Sequence, residues 1–236
     1  EEVFRRQSGE RQSFLMNTAV LVQMDAATCN ALLGITNAQT MLDQLVQENL
    51  FLTSLDAQRH WYRYHYLFRE FLFSKLQQER PEQVVELHKT VGKYYEHQGE
   101  LEAAFAHYIE AKEWEAAALV IQAFAQDYVE RGRVEVLHRY LTIIPPEVMQ
   151  GHPELLLQRG NARRRLGESG LAINDFEDAR TYFAVRADRS GVSRALTRLA
   201  EINRAQGNYR QSEALASEAL SCAPVDDHAA RADALM

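Results

Sequence analysis

Gly92-Lys93-Tyr94-Tyr95-Glu96-His97-Gln98-Gly99-Glu100-Leu101-Glu102-Ala103-Ala104-Phe105-Ala106-His107-Tyr108-Ile109-Glu110-Ala111 decides the reading of the fold. Helix formers fill both halves, and Gly99 sits between them as a helix stop that takes a left-handed conformation at little cost. Three more segments align on Gly132, Gly167 and Gly207. Seven residues before each glycine stands a small residue: Gly92, Ala125, Gly160 and Ala200. Nine after it stand Tyr108, Leu141, Phe176 and Ala216, and twelve after it Ala111, Ile144, Ala179 and Ala219. The four segments read as helix hairpins in which a small residue on the first helix faces a large one on the second.

The glycines lie 33, 35 and 40 residues apart. The first two intervals are close to the ~34-residue tetratricopeptide period, and the third predicts a lengthened second helix running to about Ala187. A single hairpin cannot bury its apolar face, so neighbours are expected to stack into a superhelix. The run Ala229-Ala230-Arg231-Ala232-Asp233-Ala234-Leu235 reads as the start of a fifth hairpin.

Residues 9–80 carry a different pattern. Apolar residues from Ser13 to Leu21 follow helical spacing. Asp25 predicts a cap for a helix over Ala26–Leu33 ending at Gly34, and Thr36 or Asn37 for another reaching about Gln47. Leu50–Leu55 and the aromatic run His60–His65 flank a hairpin-sized break and read as paired strands. A further helix is expected from Tyr66 to about Gln78. Three helices followed by a hairpin is the order of a winged helix. The expected fold class is therefore all-α in the main: a winged-helix domain with a small β-hairpin over 9–80, preceded by the end of another helical segment over 1–8. A tetratricopeptide-like α-superhelix of about four hairpins and the start of a fifth would follow over 81–236.

Composition narrows the functional classes. Hydrophobic residues make up 46% of the 236 residues and charged residues 25%, as in ordinary globular proteins. The formal charge of -7 opposes binding to a phosphate backbone. The predicted third helix of the winged helix agrees, because no Lys or Arg occurs from Thr36 to Leu55. These residues are thus not expected to read DNA by themselves. No apolar run approaches the ~20 residues of a membrane span, and no signal peptide is visible. Cys29 and Cys222 fit no disulfide or metal pattern. They read as buried reduced thiols, in keeping with a cytoplasmic location. The opening Glu1-Glu2-Val3-Phe4 and the ending Ala234-Leu235-Met236 in mid-pattern lead to the expectation of a piece of a longer protein.

No catalytic residue and no metal ligand is assigned. His88, His97, His107 and His138 show no H-x-x-x-H or H-E-x-x-H spacing and read as packing or surface residues. Asp175, Glu177 and Asp178 read as a solvated helix face. Arg163 and Arg164, with Arg165, offer an anionic contact on the inner surface of the superhelix, and charge balance against nearby acids accounts for them more simply. No nucleophile–base pair or phosphate loop stands out, so the chain is not expected to be an enzyme.

Leu42-x-x-Leu45, Asn49-Leu50-Phe51-Leu52, Leu55-Asp56 and Trp61-Tyr62-Arg63-Tyr64-His65-x-Leu67-Phe68 together resemble a signature of the MalT-like, large LuxR-type transcriptional regulators. Leu87-His88, Tyr94-Tyr95, Gly99 and Glu102-Ala103-Ala104 resemble them too. The resemblance is close over residues 1 to about 130 and rests beyond that on repeat type. It implies a signal-transduction ATPase in which a nucleotide-binding domain precedes the winged helix and a LuxR-type DNA-binding domain follows the repeats. It further implies ATP or ADP as cofactor of the whole protein, a small-molecule inducer or regulatory protein as partner, and self-association. No G-x-x-x-x-G-K-[ST] run occurs in these 236 residues, so no cofactor is expected within them. His65 is the residue the resemblance singles out. A winged-helix histidine near this place touches the phosphates of bound ADP in related ATPases, whereas the residues alone fit equally a structural histidine at a strand–helix junction. A generic tetratricopeptide-type scaffold is the alternative to the regulator.

Overall fold

The computed structural model describes residues 2–235, which form two compact units dividing between Glu113 and Trp114. The first unit begins with α1 (Glu2–Arg5), α2 (Gly9–Thr18), α3 (Ala26–Leu33) and α4 (Ala38–Gln47). Strands β1 (Leu52–Ser54) and β2 (Tyr62–Tyr64) follow, then α5 (Tyr66–Glu79). From α2 onward this is the helix–helix–helix–hairpin–helix order expected of a winged helix. The strands pair antiparallel, with Leu52 opposite Tyr64 and Ser54 opposite Tyr62. Met24 adds an isolated bridge to Tyr62.

Local chemistry sets the boundaries. The Ser8 side chain accepts from the Arg11 amide and starts α2 five residues ahead of the apolar run that announces it. That helix ends at Thr18, and Leu21 reaches the core from the loop instead. The Asp25 carboxylate accepts from the Thr28 amide at 2.6 Å, and Gly34 closes α3 in the left-handed region. Leu15, Met24, Leu42, Leu45, Leu72 and Leu76 fill the core. Tyr62 and Tyr64 are buried with their hydroxyls satisfied, as a low-dielectric interior demands. The Tyr62 hydroxyl donates to Asp43 at 2.9 Å and accepts from Gln39 at 2.7 Å. The Tyr64 hydroxyl lies 2.7 Å from that of Thr18.

Two more helices complete this unit, α6 (Pro81–Gln98) and α7 (Leu101–Glu110). Val84, Leu87 and Val91 of α6 join the winged-helix core, so the first hairpin packs with the winged helix in one compact unit. Gly99 turns the hairpin at φ 78°. A Cβ on Gly92 would come within 2.8 Å of the Tyr108 ring, the close crossing that the small-residue pattern predicts.

The second unit comprises α8 (Trp114–Glu130), α9 (Val134–Ile143), α10 (Pro146–Gly151), α11 (Pro153–Arg165), α12 (Ser169–Val185), α13 (Arg189–Ala205), α14 (Tyr209–Cys222) and α15 (His228–Leu235). Helices α8/α9, α11/α12 and α13/α14 are hairpins, and α15 packs on the last of them. The short α10 was not legible in the sequence. Pro145 and Pro146 end one hairpin and Pro146 opens the next turn, a favoured place for proline. Phe176 lies on Gly160 within a hairpin, where a Cβ would meet the ring at 2.4 Å. Between hairpins, Phe183 of α12 lies on Gly191 of α13, where a Cβ would meet the ring at 2.2 Å. Among the described residues no helix is long and apolar enough to cross a membrane.

Candidate functional site

His65 lies in the first unit, at the junction of β2 and α5. Its backbone does structural work: the amide donates to the Phe51 carbonyl at 2.7 Å, and its carbonyl accepts from the Phe68 and Arg69 amides at 3.0 Å. Its imidazole is exposed and caps nothing. Beside it a mostly apolar hollow of about 420 Å3 is lined by Val3, Phe51, Leu67, Phe68 and Phe71, with Glu2 at its edge. Phe51 adopts φ 53°, an uncommon conformation for an aromatic residue. That conformation places its half-exposed ring 5.1 Å from Phe68. The His65 imidazole therefore stands exposed at the rim of a mostly apolar surface, where a neutral ring offers one N–H donor and one acceptor.

Arg163 and Arg164 lie in the second unit and point to different tasks. The Arg163 guanidinium donates to Asp175 at 2.8 Å, beside Arg159, which donates to the same carboxylate at 2.7 Å. Asp175 is 2% exposed. The reading of Asp175 as part of a solvated face is thus corrected, because α12 turns it inward under the arginines of α11. Arg164 lines a pocket of about 280 Å3 together with Arg165 and with Arg194 and Arg198 of α13. Sequence reading missed the last two. Their i, i+4 spacing puts both on one helix face, and that is the signal that could have found them.

The first hairpin brings together two histidines that linear spacing keeps 19 residues apart. His88 of α6 and His107 of α7 approach with their Nδ1 atoms at 2.9 Å. Burial pushes both imidazoles down to about 4, and the positive charge of Arg69 acts in the same direction. One neutral ring must donate and the other accept. The pair is held in a cationic neighbourhood without a carboxylate hydrogen-bond partner, and no group of three or more metal-ligating side chains occurs among the described residues. Cys29 and Cys222 are both free, and burial pushes the Cys29 thiol up to about 12, which keeps it unreactive.

A winged helix followed in sequence by helix hairpins is the architecture of the described residues. Residues 1–84 match the family model of the MalT winged helix domain, and relatives named as MalT regulators align with the chain over most of its length. It is 29% identical over 157 residues to the HTH-type transcriptional regulator MalT of Vibrio cholerae, covering 66% of this chain and 17% of that protein. It is 24% identical over 234 residues to the protein of the same name from Serratia proteamaculans, covering 98% of this chain and 26% of the relative. The serine/threonine-protein kinase PknK of Mycobacterium tuberculosis is 25% identical over 182 residues, 76% of this chain and 16% of the kinase. The chain thus spans a quarter or less of the length of most of these relatives, and 26% of the Serratia protein.

Proposed function

We propose that the chain is the regulatory middle portion of an ATP-dependent, LuxR-type transcriptional regulator, relaying the binding of an inducer or regulatory protein to an ATPase switch. The observation that carries this reading is likeness to MalT regulators running from the winged helix through the hairpins, over 98% of the chain in one comparison. The hairpins are read as a tetratricopeptide-like superhelix over 81–236 that binds and does not catalyse, and the winged helix over 9–80 as the relay. His65 is assigned the phosphates of ADP, and the exposure of its imidazole, which caps no helix, leaves the ring accessible for that role. The proposed place of action is the cytoplasm, with self-association and DNA contact supplied by other parts of the protein.

The test is a transcription reporter driven by the full-length protein. His65→Ala is expected to weaken ADP retention and raise transcription in the absence of inducer. Unchanged ADP affinity together with unchanged basal transcription overturns the assignment. Loss of all regulation is expected when residues 114–235 are deleted, and a reporter that still responds to inducer after that deletion refutes the sensor reading.

One observation favours a second reading. The likeness to the kinase PknK covers 76% of the chain, so a protein-binding scaffold shared by regulators of different output is the alternative. Retention of a protein partner by the chain alone, with no response to any small inducer, supports it.

A further inference from the structure

Helices α11 and α13 open successive hairpins of the second unit, and with α8 they wall the pocket of about 280 Å3. Arg164, Arg165, Arg194 and Arg198 reach it, with the Asn161 amide, and Glu154 is the one carboxylate that lines it. The arginines are unevenly paired. Glu154 is gripped by Arg194 through two hydrogen bonds of 2.6 and 2.9 Å. Glu201 serves both Arg164, at 3.5 Å, and Arg198, and Asp233 reaches Arg198 at 3.4 Å. No carboxylate among the described residues is ion-paired with Arg165, whereas Arg194 also feels the charges of Asp188 and Asp227. The Nε atoms of Arg164 and Arg194 are buried without a partner. Arg159 and Arg163, the other two arginines of α11's inner rows, are taken by Asp175. Among the described residues that line the hollow itself, four are arginines and one is a carboxylate, on a chain of net charge -7.

We propose that this pocket is the seat of a small oxyanion ligand, a phosphate ester or a polycarboxylate. Guanidinium forks match both geometries and bind them by paired, charge-assisted hydrogen bonds. The volume lies at the lower end of the ~300–1,000 Å3 range of ligand pockets, which admits a small metabolite and excludes a peptide of several residues. A bound anion would be shared by Arg165 of one hairpin and Arg198 of the next, and would fix the spacing of the two hairpins. Occupancy is thereby converted into a change in the hairpin array. This proposal rests on the reading of the second unit as a sensor and names the chemical class that it senses.

The experiment is calorimetric titration of the 236-residue chain at low ionic strength with inorganic phosphate, glycerol 3-phosphate and citrate, and with glucose as the uncharged control. Saturable one-site binding of an anion is expected, weakened at least tenfold by Arg165→Ala and by Arg198→Gln and unchanged by Arg210→Ala, a control on exposed α14 surface. Arg165 is exposed at a helix end, so its variant is expected to melt like the parent protein and keeps the test open if Arg198→Gln does not fold. Saturation by the phosphates alone assigns a phosphate ester, saturation by citrate alone a carboxylate, and saturation by both a general oxyanion seat. No saturation by about 10 mM, a free energy weaker than roughly 3 kcal/mol, overturns the proposal. Equal weakening by Arg165→Ala and Arg210→Ala overturns it as well, since binding would then be diffuse. A reporter that responds to inducer while the chain ignores every anion removes only this proposal. Anion binding with a reporter indifferent to residues 114–235 removes only the sensor reading.

Discussion

Replacing Asp175 by Ala is expected to cost the second unit about 3 kcal/mol of stability. The carboxylate is 2% exposed and holds two guanidiniums, Arg159 through Nε and Nη2 at 3.1 and 2.7 Å and Arg163 through Nη1 at 2.8 Å. Removing one partner of a buried ion pair costs about 3–5 kcal/mol because the remaining charge is left unpaired. The lower end applies here. Both arginine side chains keep a sixth of their surface in contact with water, at 17% and 16% exposure, and their long stems let the heads move outward. Asp175→Asn keeps the volume and one acceptor and is expected to cost less, about 2 kcal/mol. The assay is urea denaturation followed by tryptophan fluorescence in a Trp61→Phe background, which leaves Trp114 of the second unit as sole reporter. The decisive comparison adds Arg159→Met and Arg163→Met to Asp175→Leu. An all-apolar triad of similar volume is expected to regain most of the loss, since the penalty is the unpaired charge and not the missing attraction. A cost below about 1 kcal/mol for Asp175→Ala refutes the reasoning, as does a triple variant no more stable than the single one.

The His88–His107 pair makes the first unit sensitive to acid. Both folded imidazoles titrate at about 4 against 6.5 in a free side chain, so the unfolded chain binds more protons between those values. Stability is therefore full above pH ~6.5 and falls as the pH drops toward 4, by on the order of 3 kcal/mol for each histidine. A thermal melt series across that window checks it, and His88→Gln with His107→Gln is expected to flatten the slope. Gly160→Ala is expected to cost about 1–3 kcal/mol because its methyl would sit 2.4 Å from the Phe176 ring. Gly170→Ala, in open space on the same hairpin, is expected to be neutral or to stabilise by up to about 1 kcal/mol; a Gly160→Ala variant as stable as Gly170→Ala contradicts the packing argument.

What was legible in the sequence was local or periodic. Asp25 and Gly34 mark the ends of α3 because a cap acts on the amides of its own helix. Gly92 before Tyr108, and Gly160 before Phe176, predict close crossings because the hairpin register recurs in the repeat. The site was less legible for the same reason. Arg159 and Asp175 are on facing helices, and their meeting depends on which faces turn inward, so Asp175 reads as solvated among its acidic neighbours. His88 and His107 meet across a hairpin, where motif spacing along one helix carries no signal. Arg194 and Arg198 join Arg164 from the next hairpin, which the pattern within one repeat cannot announce. The start of α2 escaped because Ser8 lies well ahead of the first apolar position.

The seating of Phe183 on Gly191 has a mechanical meaning. At this one position the ring meets bare backbone, with no Cβ on α13 to act as a soft gasket. Sliding α13 along α12 would drive the ring into the flanking Cβ atoms within about one residue rise of 1.5 Å. Sliding of α13 on α12 is thus opposed at this contact while tilting about the ring is not, so the ring would serve as a pivot on which the two hairpins change their splay.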